Sequence, residues 1–275
     1  VDNIKIKFTN THVKLENIAI SKKKNKAKLN WIRLYENNKI PTNCKYINPH
    51  VVFNGIDWFI CVGIEYVDNA EIPNNKGIGI DLGIKDLAIC SDKNTYKNIN
   101  KTYKIKKLEK IKRRLQRKIS RKYLNNKKGD SYYKTSNIIK SEKRLLKLNH
   151  RLTNIRDNYL HQTTSEIIKR KPSFIVIEDL NVKGMMKNKH LSKAIQQQKF
   201  YEFHRQLKYK CKWNNIELRI VDRFYPSSKM CHCCGSIKKD LKLKDRVYKC
   251  DCGYIEDRDY NASLNLRDCL TYKIA

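Results

Sequence analysis

GIDLGIKD, from Gly79 to Asp86, sets one carboxylate, Asp81, at the end of an apolar, strand-like run and follows it with a tight turn at Gly83. Residues Gly77 to Ile80 and Asp86 to Cys90 therefore read as two buried strands of a β-hairpin, with Thr95 to Ile99 as a third strand. Two further segments repeat the signal. FIVIEDLN (Phe174 to Asn181) puts Glu178 at the carboxyl end of another apolar run, and DRDYNASLNL (Asp257 to Leu266) puts Asp259 at the start of a short amphipathic helix. Carboxylates at the ends of buried elements are costly to hold close together unless positive charge neutralises them. A lone Asp in such a place is ordinarily a helix cap or a surface turn, which is the reading for Asp86, Asp179 and Asp257. Asp81, Glu178 and Asp259 lie 97 and 81 residues apart, so only a fold can assemble them. Together they form the donor set of a two-metal phosphodiester-cleaving centre. Carboxylate and water oxygens suit Mg²⁺ or Mn²⁺ rather than zinc.

Outward from these segments the pattern is that of an α/β domain with a mixed sheet. A strand over Ser173 to Ile177 precedes a helix from about Ser192 to Trp213 and a strand over Ile216 to Val221. Between the hairpin and Ser173, Leu108, Ile111, Leu115 and Ile119 recur at helical steps, as do Leu145, Leu148, Leu152, Ile155 and Tyr159 after a break at 125–130. Two helices with narrow apolar seams make an antiparallel helical hairpin. Residues 101–150 hold 19 Lys and Arg against three acids, +16 in this segment alone. Solvated helical faces normally mix signs. This one faces polyphosphate, with Lys112, Arg113, Arg114, Arg117, Lys118, Arg121 and Lys122 as its nucleic-acid-binding side chains. The first 70 or so residues alternate apolar and polar positions between turn signals (Asn37-Asn38, Pro41, Asn54-Gly55), as in an antiparallel sheet or small barrel. The basic run Ser21 to Lys28 is a solvated loop or a phosphate contact.

At 275 residues the chain holds one or two domains, and Lys+Arg 60 against Asp+Glu 27 gives +33. Such a charge calls for a polyanionic partner, with nucleic acid leading. No apolar run approaches the roughly 18 residues of a membrane span, and VDNIKIKFTN reads as a strand rather than a targeting core. Of ten cysteines, Cys231, Cys233, Cys234, Cys250 and Cys252 fall within 22 positions. Clustering without a secretory signal favours metal binding in a reducing, cytoplasmic compartment. Cys231-x2-Cys234, fifteen residues, then Cys250-x-Cys252 is the spacing of a structural zinc ribbon. Gly235 and Gly253 permit the tight turns whose N–H groups face the sulfurs, which picks Cys234 over Cys233. The second pair is one residue shorter than usual, and His232 is an alternative ligand whose ring would more naturally point outward.

GIDLGIKDLAICSD, IEDLNVKGMMKN, VDRFYPSSKMCHCCG and YKCDCGYIEDRDYNASLNL, in that order, resemble the TnpB family, the OrfB proteins of insertion sequences, itself similar to the compact type V CRISPR nucleases. The resemblance runs from about Lys76 to Leu266. It implies a split RuvC-like nuclease domain of RNase H fold, interrupted by a helical insert and a zinc ribbon. The catalytic, Mg²⁺-holding acids then fall on Asp81, Glu178 and Asp259 rather than Asp257. It further implies a transposon-derived guide RNA and DNA cleaved where that guide matches. The expected division is a partial, wedge-like β-barrel over 1–75, a RuvC-like core over 76–228 with the basic hairpin at 101–170, the zinc ribbon over 229–254 and a last RuvC-like segment over 255–275. Family members usually carry a further amino-terminal recognition lobe, and a start at Val1 reads as an amino-terminal truncation. Two other readings remain open: a catalytically idle nucleic-acid-binding remnant that regulates transposition, and a junction-type resolvase, which would share the acids but not need the ribbon.

Overall fold

The computed structural model describes residues 6–15, 31–65, 73, 75–242 and 245–275, and the basic run at 21–28 lies outside them. The chain divides into two units, residues 1–68 and 69–275. In the first, alternating short segments form β1 (Lys7–Phe8), β2 (His12–Lys14) and β3 (Trp31–Arg33), an antiparallel sheet. A separate ribbon pairs β4 (Tyr46–Phe53) with β5 (Trp58–Ile64). Pro49 cannot donate to a ladder, and the register shifts between Ile47 and His50 beside it. Ile6, Phe8, Val13 and Tyr46 form the buried cluster of this unit. Val51, Val52, Phe53, Trp58 and Phe59 remain exposed, as does Cys61.

The second unit is built on a six-stranded mixed sheet. β6 (Ile78–Leu82), β7 (Asp86–Cys90) and β8 (Thr95–Lys97) form an antiparallel meander. The third strand ends two residues earlier than expected, because Asn98 caps a 3-10 turn at Ile99–Lys101 by accepting from the Asn100 N–H. α1 (Tyr103–Asn125) and α2 (Ser136–Lys169) follow, joined by the small ribbon of β9 (Lys127–Lys128) and β10 (Ser131–Tyr132). Ile105, Leu108 and Leu152 bury their seam, and the Arg156–Glu109 ion pair (2.8 Å) closes it. Ile111, expected in the seam, is exposed.

The chain re-enters the sheet as β11 (Phe174–Glu178), parallel to β6. It continues through α3 (Val182–Met185), α4 (Ser192–Gln198) and α5 (Phe200–Trp213) to β12 (Glu217–Val221), parallel to β11. The single helix expected from Ser192 to Trp213 is broken at Lys199, which sits in the left-handed region (φ 55°). The break turns Gln198 towards the Gly83 carbonyl (2.8 Å) and buries Phe200, which a continuous helix could not do with both neighbours. After β13 (Val247–Lys249) and β14 (Ile255–Asp257) come α6 (Arg258–Arg267) and β15 (Lys273–Ile274). The sheet order is β15-β12-β11-β6-β7-β8. Its two faces follow from the two-residue period of strands. Ile78, Ile80, Ile175 and Ile177 point into a core with Leu160, Ile167, Phe203 and Leu207 of α2 and α5. Val176 and Val221 point the other way and pack on Leu266 of α6.

Candidate active site and metal centre

Asp81 follows Ile80 and Glu178 follows Ile177, and those two isoleucines are register partners across the parallel β6–β11 ladder. The same alternation that sends Ile80 and Ile177 into the core sends Asp81 and Glu178 to the α6 face. α6 lies directly on that face. A Cβ on Gly79 would stand 2.0 Å from the Ser263 carbonyl oxygen and 2.4 Å from the Arg267 nitrogen, so glycine is what lets helix and strand touch. Asp259 enters from the first turn of α6, whose cap is Asp257, accepting from the N–H groups of Asp259 (2.9 Å) and Tyr260 (3.1 Å).

Asp81 lies within the field of the other two acids. Burial, then the charges of Glu178 and Asp259, raise the Asp81 carboxyl well above the usual carboxylate range, with Arg258 opposing them. Burial also raises Glu178, and the Ser227 hydroxyl, which donates to its Oε1, pulls it back. Asp259 accepts from Arg258 (2.6 and 2.9 Å) and from Arg246 (3.4 Å). Two buried carboxyls, Asp81 and Glu178, both raised by burial, are groups whose ionised form a hard divalent cation would favour. Ser227, Arg246 and Arg258 were not singled out from the sequence, although Arg258 stands between the two aspartates of Asp-Arg-Asp. Asp179, read as a cap or turn, sits exposed where the Leu180 N–H returns to the Glu178 carbonyl (3.1 Å), and pairs with Arg223 (2.5 Å).

Asp259 was expected on an amphipathic helix, but α6 is buried on both sides from Asn261 to Leu266. Its polar residues bond the loop that leads into the cysteine cluster. Asn261 donates to the Met230 carbonyl (2.8 Å) and accepts from the His232 N–H (3.1 Å), and Asn265 donates to the carbonyls of Ser227 and Met230 (both 2.7 Å).

Cys231, Cys234, Cys250 and Cys252 bring all four sulfurs within 4.8 Å of one another. The Cys231–Cys252 and Cys234–Cys250 separations are 3.7 and 3.6 Å. Zinc–sulfur bonds of about 2.3 Å in a tetrahedron place sulfurs about 3.8 Å apart, so the cluster fits a structural zinc despite the short second pair. Gly235 (φ 74°) and Gly253 (φ 90°) make the two turns, donating to the carbonyls of Cys231 (2.9 Å) and Cys250 (3.0 Å). Cys233 is exposed outside the cluster, and the His232 ring faces Asp268 (3.8 Å).

On α1, Arg113, Arg114, Arg117, Lys118 and Arg121 are exposed on the side away from Leu108 and Ile119. Lys112 and Arg113 also line a cavity of about 500 Å³ with Arg156, Lys193 and Lys199, where Glu109 is the one acid. Lys122 differs, bonding the Asn137 carbonyl and the Ser141 hydroxyl (both 2.9 Å) across the hairpin tip. Among the described residues, no helix is long and apolar enough to cross a membrane.

Residues 59–189 match the OrfB family of IS605 elements, described as a probable transposase, and residues 200–266 match the Cas12f1-like TNB domain. A Streptomyces pristinaespiralis protein named "Putative RNA-guided DNA endonuclease" is 32% identical over 76% of this chain and 49% of its own length. InsQ of Escherichia coli K12, which carries the same description, is 30% identical over 87% of this chain and 60% of its own length. The chain belongs to the TnpB (OrfB) family. It shares its fold with Cas12f. The structure of a CRISPR-Cas12f ternary complex matches 79% of this chain and 43% of that one, at a TM-score of 0.56 and 20% identity. A Cas12f1–sgRNA–target DNA complex matches 79% and 55%, at 0.51 and 20%. The chain spans about half the length of the curated relatives it matches.

Proposed function

We propose that this chain carries the RuvC-like nuclease core of a transposon-encoded, RNA-guided DNA endonuclease. The observation that carries the reading is the convergence of Asp81, Glu178 and Asp259 from two parallel strands and one helix onto the same face of the sheet. In this reading the three carboxylates would hold two Mg²⁺ or Mn²⁺ ions. Such a pair activates water and stabilises the leaving oxygen of a phosphodiester. Arg258 and Arg246 orient Asp259. The exposed arginines of α1 and the cationic cavity beside α4 hold a guide–target duplex by its phosphates. The zinc ribbon keeps α6, and with it Asp259, in place.

The proposed division runs through residues 1–75 as part of a wedge-like barrel, 76–228 as nuclease core with the hairpin at 101–170, 229–254 as ribbon and 255–275 as the last nuclease segment. Named relatives support guide RNA and DNA as partners, since the relatives from Streptomyces and Escherichia coli are both named RNA-guided DNA endonucleases. The test is nicking of labelled single-stranded DNA in Mn²⁺, with and without RNA, by wild type and by Asp81→Ala. Nicking lost in the variant supports the site. Nicking that survives Asp81→Ala overturns it, and binding without nicking in the wild type favours a regulatory remnant.

A further inference from the structure

We infer that Ser227 is a positioning residue that aims Glu178 at the acid site and ties it to the helix carrying Asp259. The inference rests on the proposed nuclease site. Ser227 is 4% exposed, and its hydroxyl donates to Glu178 Oε1. A carboxylate has two oxygens, and engaging one fixes the plane in which the other is offered to its neighbours. Glu178 ends β11, where its backbone direction is set but its side chain is long and rotatable, so an outside donor has to select the rotamer.

Ser227 is itself held on every side. Its N–H donates to the Tyr225 carbonyl (2.8 Å), and its own carbonyl accepts from Asn265 of α6 (2.7 Å). The Tyr225 hydroxyl returns to the Asn265 carbonyl (3.2 Å). Lys229 and Met230 both donate to the Pro226 carbonyl (2.9 Å each), closing a tight turn that runs straight into Cys231. The turn therefore joins three things: the second carboxylate, the helix bearing the third, and the first sulfur of the cysteine cluster. Loosening the cluster would loosen the turn and release Glu178 to other rotamers.

The test reads Mn²⁺ binding directly, by the electron paramagnetic resonance signal of free Mn²⁺, on the full chain without substrate. Asp81→Asn and Glu178→Gln should each remove a Mn²⁺ site that the wild type shows. Ser227→Ala should keep zinc content, melting temperature and DNA affinity, yet weaken Mn²⁺ binding about 10- to 100-fold, as loss of a partner hydrogen-bonded to a metal ligand does. Ser227→Thr, which retains the hydroxyl, should recover most of that affinity. Should Ser227→Ala not fold, Ser227→Val fills the site with no donor, as a match for Ser227→Thr, and carries the same expectation. Wild-type Mn²⁺ affinity in a folded Ser227→Ala or Ser227→Val chain overturns the inference and leaves the acid site standing. Mn²⁺ binding indifferent to both Asp81→Asn and Glu178→Gln overturns the acid site and this inference with it.

Discussion

Gly79 carries no charge, yet it lets α6 rest on β6, and Asp259 depends on that close approach. The atoms a Cβ would strike are backbone, so relief requires moving the helix. Gly79→Ala is expected to cost about 1–3 kcal/mol, as overpacking of a filled core does, and to cut cleavage as Asp259 swings away from Asp81. An unchanged melting temperature together with unchanged cleavage would contradict the close packing. Asp81→Ala, Glu178→Ala and Asp259→Ala should each abolish cleavage while leaving DNA affinity, read by filter binding, nearly intact. Asp257→Ala removes a cap worth about 1 kcal/mol and should be the mildest of the four. Asp81 and Glu178 were legible because a carboxylate closing an apolar run is conspicuous, as was the capping role of Asp257, whereas Asp259 was picked out by the family resemblance. Ser227 and Arg246 were not, because a loop hydroxyl or a ribbon arginine acquires its partner only when distant segments meet. The burial of Asn261 and Asn265 on a helix read as amphipathic was not legible either, since their partners are carbonyls of a loop some 30 to 40 residues earlier.

Among the elements, the ribbon and the helical hairpin carry separate expectations. Purified protein should hold about one zinc, as a closed four-thiolate site does. Cys233→Ser should keep the metal and Cys234→Ser release it, and equal retention would contradict the ligand set. Reversing Arg113, Arg114, Arg117, Lys118 and Arg121 should weaken nucleic-acid binding uniformly across sequences and lower the salt slope by about one for each phosphate no longer neutralised. Lys122→Glu is expected to act differently, by unpicking the hairpin tip that its ammonium holds together. An unchanged slope in the five-residue reversal would reduce the stripe to a solvated face. The hairpin was legible from its three- and four-residue apolar steps. The break at Lys199 was not, since lysine gives no local sign of a left-handed residue. Gln198 reaching Gly83 and Phe200 entering the core impose it from outside the segment.

Across the whole molecule, +33 spread over 275 residues makes any polyanion a ligand at low salt, so binding alone discriminates poorly between a nuclease and a passive binder. The mixed sheet could be read from the order of strands and helices, because strand–helix–strand segments leave little other choice. Which acids share a face could not, since that depends on the register of β6 against β11. The central claim is that Asp81, Glu178 and Asp259 form one divalent-metal site that cleaves DNA. The measurement closest to it is Mn²⁺-dependent nicking of end-labelled single-stranded DNA at near-physiological salt, comparing wild type with the three single alanine variants. Nicking by the wild type, lost in all three variants while zinc content is unchanged, is the expected result. Robust nicking that persists in any one of the three would contradict it.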